Sequence, residues 1–135
     1  MERIRSKADN RLIIEAELNG KNAYFLVDTG ASVGLISKHA EKEYKLKKGR
    51  KYSGTLIGAG GEIKNVYHCD TPANFEGRLI PQFLFADIDN VIKSIKRETG
   101  IEILGIISLP QMKIVGLGVD ANDMEIIVEW TKTIA

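Results

Sequence analysis

Apolar and polar positions along the first part of the chain predict a β-hairpin. Leu12-Ile13-Ile14-Glu15-Ala16-Glu17-Leu18 alternates in its second half, and Asn19-Gly20 supplies the residues that a type I′ turn needs at positive φ. Ala23-Tyr24-Phe25-Leu26-Val27 then forms a continuous apolar run, suited to a strand covered on both faces, and leads straight into Asp28-Thr29-Gly30-Ala31-Ser32. Further on, Ser37 is placed to cap a short helix over about residues 38–46, ended by Gly49. Residues 52–57 and 62–67 read as two strands joined across Gly58-Ala59-Gly60-Gly61, whose small side chains make a mobile hairpin tip. A third hairpin is expected over 73–75 and 79–85, with Glu76-Gly77 at its turn. Asp87 or Asp89 then caps a helix whose Ile88, Val91, Ile92 and Ile95 share one face and which Gly100 closes. Ile103-Leu104-Gly105-Ile106-Ile107 is a second fully apolar run, and Met124 to Trp130 reads as a last strand. The first seven or eight residues are polar and expected to fray. The pattern is mostly β, with about two helices.

Composition narrows the function classes more than it selects one. The length of 135 residues suits one domain over residues 1–135, able to bury roughly two-thirds of the surface its unfolded form exposes. With 19 basic and 18 acidic residues the formal charge is +1, so no global field draws in nucleic acid or an anionic membrane. Cys69 is the single cysteine and excludes an internal disulfide, which fits a reducing compartment. The charged start, Met1-Glu2-Arg3-Ile4-Arg5-Ser6-Lys7, does not open a signal peptide, and no apolar run approaches the ~18 to 20 residues of a membrane span. These features point to a soluble, cytoplasmic protein with no membrane partner.

Several local signals add little chemistry. Lys42, Lys45, Lys47, Lys48, Arg50 and Lys51, opposed only by Glu43, read as a solvated helix face and loop, since no aromatic stacking platform or nucleic-acid motif accompanies them. His39 and His68 are too few and too separated for a metal site, and His68-Cys69 point to opposite faces of a strand, so no metal or cofactor is expected. Gly58 to Gly61 lacks a following Lys-Ser/Thr, which argues against a phosphate loop.

The sharpest feature is Asp28, placed at the end of a buried apolar strand and followed at once by Thr29-Gly30-Ala31-Ser32. Burial there disfavours the ionised carboxyl unless hydrogen bonds hold it; the glycine leaves room for another backbone to approach, and the threonine hydroxyl can lock the turn. Phe25-Leu26-Val27-Asp28-Thr29-Gly30-Ala31-Ser32 resembles the active-site motif of the retropepsin-like aspartic peptidases, single-lobed relatives of pepsin. The order of accompanying features strengthens the likeness: an Asn-Gly hairpin before the motif, a glycine-rich hairpin at the place of the flap, and Ile103-Leu104-Gly105 at the place of a second apolar-apolar-Gly signature. The helix before that signature is closer to bacterial and phage-type members than to the compact retroviral enzymes.

The resemblance spans about residues 12–130. It implies a mostly β, single-lobe, acid-protease-like closed barrel with a flap hairpin and one or two short helices. It implies peptide hydrolysis by two carboxylates sharing one proton around a water. This chain holds one Asp-Thr-Gly, because Asp70-Thr71 runs into Pro72; the resemblance therefore implies a homodimer, with Asp28 from each copy forming the pair and an extended peptide as substrate. By the same resemblance Thr29, Gly30 and Ala31 support the active site, Ile57, Gly58, Ala59, Gly60 and Gly61 form the flap, and Leu104 and Gly105 the second signature. Two departures stand out. Retroviral members commonly brace the dimer with an Arg after the second signature and an Asp two residues past the motif's glycine, where this chain has Ile106 and Ser32. The helix that should follow looks weak, since Leu109-Pro110 breaks it. A noncatalytic, peptide-binding or structural relative of the same fold is the alternative.

Overall fold

The computed structural model describes residues 1–58 and 60–129. Along the chain run β1 (Glu2–Arg5), β2 (Ile13–Leu18), β3 (Lys21–Asp28), β4 (Gly34–Ser37), α1 (Ala40–Glu43), β5 (Lys48–Lys51), β6 (Leu56–Gly58), β7 (Gly61–Ile63), β8 (Tyr67–Cys69), β9 (Ala73–Phe75), β10 (Arg78–Ile80), β11 (Phe83–Ala86), α2 (Asp89–Thr99), β12 (Gly105–Ser108), α3 (Leu109–Val115), β13 (Leu117–Asp120) and β14 (Glu125–Val128). The protein is mostly β, with three short helices among the described residues.

The first hairpin forms as its pattern predicts. Asn19 and Gly20 take φ of 51° and 80°, and β2 pairs antiparallel with β3 from Leu18↔Lys21 to Ile13↔Leu26. In β3 the side chains alternate: Ala23, Phe25 and Val27 enter the main core, where the Phe25 ring lies 5.5 Å from that of Phe83. Tyr24 and Leu26, on the other face, are half-buried against Ile95, Val91 and Ile92 of α2. The continuous apolar run is thus a strand covered fully on one side and partly on the other.

Nine strands form one mixed sheet in the order β10-β9-β2-β3-β12-β4-β11-β8-β5, a three-stranded sheet has the order β1-β14-β13, and β6-β7 stand as a separate pair. The closed barrel expected from the resemblance is not made by hydrogen bonding: β10 and β5 are free ends of the large sheet, because neither pairs with the other. Two parallel contacts, β3 with β12 and β4 with β11, thread the middle of the sheet. Together they bring the ends of β3 and β12 side by side, with Asp28 opposite Ser108.

Elsewhere the structure departs from the local signals in extent at some elements and in kind at others. The helix expected over 38–46 shrinks to α1, and Gly49 lies inside β5 instead of ending it. Ser37 is buried, and its Oγ accepts from the His39 N–H (3.3 Å) without capping the helix itself. The expected third hairpin stops at β10, and β11 follows as a separate strand. Residues 2–5, expected to fray, form β1 along Ile126 and its neighbours in β14, a pairing across the whole sequence that no local pattern announces. The helix after Ser108 is well formed, because Pro110 sits in its first turn, where a missing N–H costs nothing, and Ser108 with Gln111 makes a capping box. The last strand is shorter than read, and Trp130 lies outside the described residues.

Candidate active site

Asp28 is the final residue of β3 and is half-buried, while Thr29 and Gly30 beyond it are exposed. The strand therefore delivers a carboxylate to the surface end of the core. The Gly30 N–H donates to Asp28 Oδ1 (2.9 Å), and the Ala31 N–H donates to the Asp28 carbonyl (3.1 Å). A Cβ on residue 30 would stand 3.3 Å from the same Oδ1, a tight contact that glycine avoids. The loop is tied down from α3, whose Leu109 N–H reaches the Ala31 carbonyl (3.4 Å).

Leu104 and Gly105 lie at the other end of β12 from Asp28. Leu104 donates to the Tyr24 carbonyl (2.7 Å) and accepts from the Ser37 N–H (2.9 Å), so it bridges β3 and β4. A Cβ on Gly105 would lie 2.5 Å from the Leu35 carbonyl and 2.9 Å from the Phe25 ring. The pair fixes the spacing of the central strands, three residues along the register from Asp28. The residue beside Asp28 is Ser108, fully buried, whose N–H and hydroxyl both donate to Gln111 Oε1 (2.9 and 3.1 Å). Gln111 in turn donates to the Pro81 carbonyl (2.7 Å). Sequence reasoning passed over Ser108 and Gln111, though Ser-Leu-Pro-Gln has the capping-box spacing that finds them.

Arg11 is a second unforeseen neighbour. The Val27 N–H donates to the Leu12 carbonyl (2.8 Å), continuing the β2–β3 register by one residue and bringing Arg11 across from Asp28. The guanidinium binds both carboxylate oxygens of Glu98 (2.6 and 3.1 Å). That pair pushes Arg11 further toward its charged form, with Asp28 adding a smaller electrostatic contribution, and holds Glu98 below the usual carboxylate range.

The glycine-rich hairpin is the separate pair β6-β7, with Ile57 73% exposed beside the tip and Gly61 at φ 109°. Gly58 and Gly60 flank Ala59, which lies outside the described residues. Leu56 and Ile63, at the hairpin's base, pack in one cluster with Val33 and Leu35, which follow the Asp28 loop directly. Ser32 is exposed, and Ile106 is a core residue of β12, so neither position carries an ion pair.

Two groups of acidic and imidazole side chains have metal-like proximity, His39-Asp87-Asp89 and Asp120-Asp123-Glu125, and neither includes Asp28. Arg3 already binds Asp120 and Glu125 of the second. A cavity of about 700 Å³ lies at the opposite end of β3, among Tyr24, Ala40, Tyr44, Ile92, Ile103 and Leu104. No helix among the described residues is long and apolar enough to cross a membrane.

Residues 14–76 match the family model described as aspartyl protease. No curated protein matches the chain. Among solved structures, the EIAV protease in complex with an inhibitor is 21% identical, with a TM-score of 0.62 over 87% of this chain and 99% of that one. The retroviral protease-like domain of Ddi1 from Leishmania major is 20% identical, with a TM-score of 0.59 over 88% of each chain. A retropepsin-like aspartic protease from Rickettsia conorii is 21% identical, with a TM-score of 0.57 over 93% of this chain and 97% of that one. The chain is therefore retropepsin-like in fold, and over residues 14–76 it carries the aspartyl protease sequence pattern.

Proposed function

We propose that the chain is one subunit of a homodimeric aspartic endopeptidase, with Asp28 of each copy supplying one of two catalytic carboxylates. The observation that carries this reading is the setting of Asp28: a carboxylate at a strand end, fixed by the Gly30 N–H and bordered by exposed backbone onto which a second copy can fold. Two carboxylates brought that close share a single proton, because both cannot readily ionise together. The ionised one takes a proton from the water between them. The protonated one donates to the scissile carbonyl oxygen as the hydroxide adds to carbon. Collapse of the tetrahedral adduct breaks the C–N bond, with a proton passing to the leaving amine.

Thr29 and Gly30 offer an exposed surface to the partner loop and the peptide backbone, with Ala31 anchoring the loop behind them. Ile57, Gly58, Ala59, Gly60 and Gly61 form the flap that closes over an extended peptide and excludes water. Replacing Asp28→Asn keeps the acceptor for Gly30, so the variant should fold like the parent while cleavage of a peptide library falls at least about a thousandfold. Cleavage at the parent rate would overturn the reading.

One observation favours a noncatalytic, peptide-binding relative of the same fold. β14 is flanked by β1 on one side and β13 on the other, so both of its edges are occupied within one chain, and the Ile106 and Ser32 positions offer no ionic brace. Sedimentation across concentration separates the two, because a strict monomer cannot assemble the pair.

A further inference from the structure

The near-neutral chain conceals a strongly basic segment. Between residues 42 and 51 there are six cations and one carboxylate, a formal charge of +5 against +1 for the whole chain, so the remainder carries −4. The fold places the densest part of this charge on β5. That strand pairs with β8 on one side and ends the nine-stranded sheet, so its other edge presents backbone N–H and C=O groups to solvent. The edge is held in position: the Lys47 N–H donates to Thr71 Oγ1 (2.8 Å), and the Asp70 N–H donates to the Lys47 carbonyl (2.8 Å). Lys47, Lys48, Arg50 and Lys51 are all exposed, and none makes a salt bridge among the described residues; Glu43, the segment's one carboxylate, pairs with Lys21 (3.7 Å). Beside the strand, Lys38, His39 and Lys48 line a recess of about 260 Å³ together with Glu41, so this chain already supplies the recess with a carboxylate, and the Asp70 carboxylate lies against Gly49.

We propose that the β5 edge is a docking site for an acidic, extended stretch of a protein, lying along Lys47 to Lys51 and meeting the exposed side chains of Lys47, Lys48, Arg50 and Lys51. An extended peptide matches an open strand edge, where backbone hydrogen bonds supply affinity and flanking charges supply selectivity. Nucleic acid fits less well, because the nearby rings are already engaged. Lys48 lies over Tyr67 (4.0 Å to the ring centre), and Tyr52 meets His68 edge-on (5.8 Å), so a stacking base would compete with a cation on Tyr67 and with His68 on Tyr52. Edge lysines also discourage strand-to-strand aggregation, but that role needs only scattered charge, and a +5 segment does not follow from it. The strand leads at once into residues 52–63, which carry the β6-β7 hairpin. Resting on the protease reading, the site is then an exosite that brings acidic protein substrates to the flap.

The test uses the Asp28→Asn protein, which cannot consume its ligand, and a fluorescent, extended peptide of alternating Glu and Ser. Anisotropy should show binding that weakens as salt is raised and falls at least about tenfold when Lys47, Lys48, Arg50 and Lys51 are all changed to Glu. A milder Lys47→Gln, Lys51→Gln variant, checked for an unchanged denaturation midpoint, should weaken binding in the same direction. In the parent protein, the charge changes should slow cleavage of substrates with an acidic flank while leaving a short neutral peptide unaffected. Loss of peptide cleavage in the parent together with intact anisotropy binding would sink the protease reading alone. No binding at low salt, binding indifferent to the substitutions, or tighter binding of a single-stranded oligonucleotide of equal charge would overturn the docking site.

Discussion

Gly30 and Gly105 act through the side chains they lack. At Gly30 the absent Cβ spares the Asp28 carboxylate a tight contact; at Gly105 it allows the Leu35 carbonyl and the Phe25 ring to close on β12. A methyl group at residue 105 meets backbone on one side and a buried ring on the other, and neither is a flexible chain end. Gly105→Ala is therefore expected to destabilise the fold by about 3 kcal/mol, read as a lower urea midpoint with an unchanged slope. At this scale the sequence was highly legible, because Asp28, Gly30 and Gly105 sit in short patterns whose chemistry is local. Arg11 and Ser108 were not, since they meet Asp28 only through the pairing of β3 with its two neighbours, and nothing in their own flanking residues records that pairing.

Elements carry the support for the site. α3 is short, yet its first turn ties together Ser108, Pro81 and, through the Leu109 N–H, the loop after Asp28. Gln111→Ala removes the acceptor of the capping box and leaves the Pro81 carbonyl without its donor inside the fold. A loss of about 2 to 3 kcal/mol is expected in a denaturation measurement, with a parallel fall in peptide cleavage because the Ala31 anchor loosens. Reading Pro110 as a helix breaker was wrong for a positional reason: proline disrupts a helix interior but fits the first turn. α2 is linked to the strand side through Arg11 and Glu98, 87 residues apart in sequence. Because the folded Glu98 carboxyl lies below its ordinary value, this contact stabilises above the unfolded pKa and its contribution is lost as pH falls through the depressed folded value. The stability difference between parent and Glu98→Gln should therefore be present at neutral pH and be lost as pH falls through the depressed Glu98 value, as followed by denaturation midpoints against pH. Both side chains are partly exposed, so the difference at neutral pH is expected to be small.

At the scale of the whole molecule, the nine-stranded order interleaves strands from distant parts of the sequence, and this is where sequence reading had least purchase. Hairpins such as β2-β3 and β9-β10 were visible because a turn and two patterned strands lie together. The parallel contacts β3-β12 and β4-β11, and the β1-β14 pairing, depend on chain closure over long distances and leave no periodic trace. The consequence for function is that one chain presents one Asp28. If two copies must each contribute a carboxylate, catalysis belongs to the pair. Mixing parent protein with the Asp28→Asn variant at constant total concentration, and letting subunits exchange, tests this most directly. Activity should follow the square of the parent fraction, so that an equal mixture retains about a quarter. A linear fall to about half, or a parent protein with no peptide cleavage at any concentration, would contradict the shared active site.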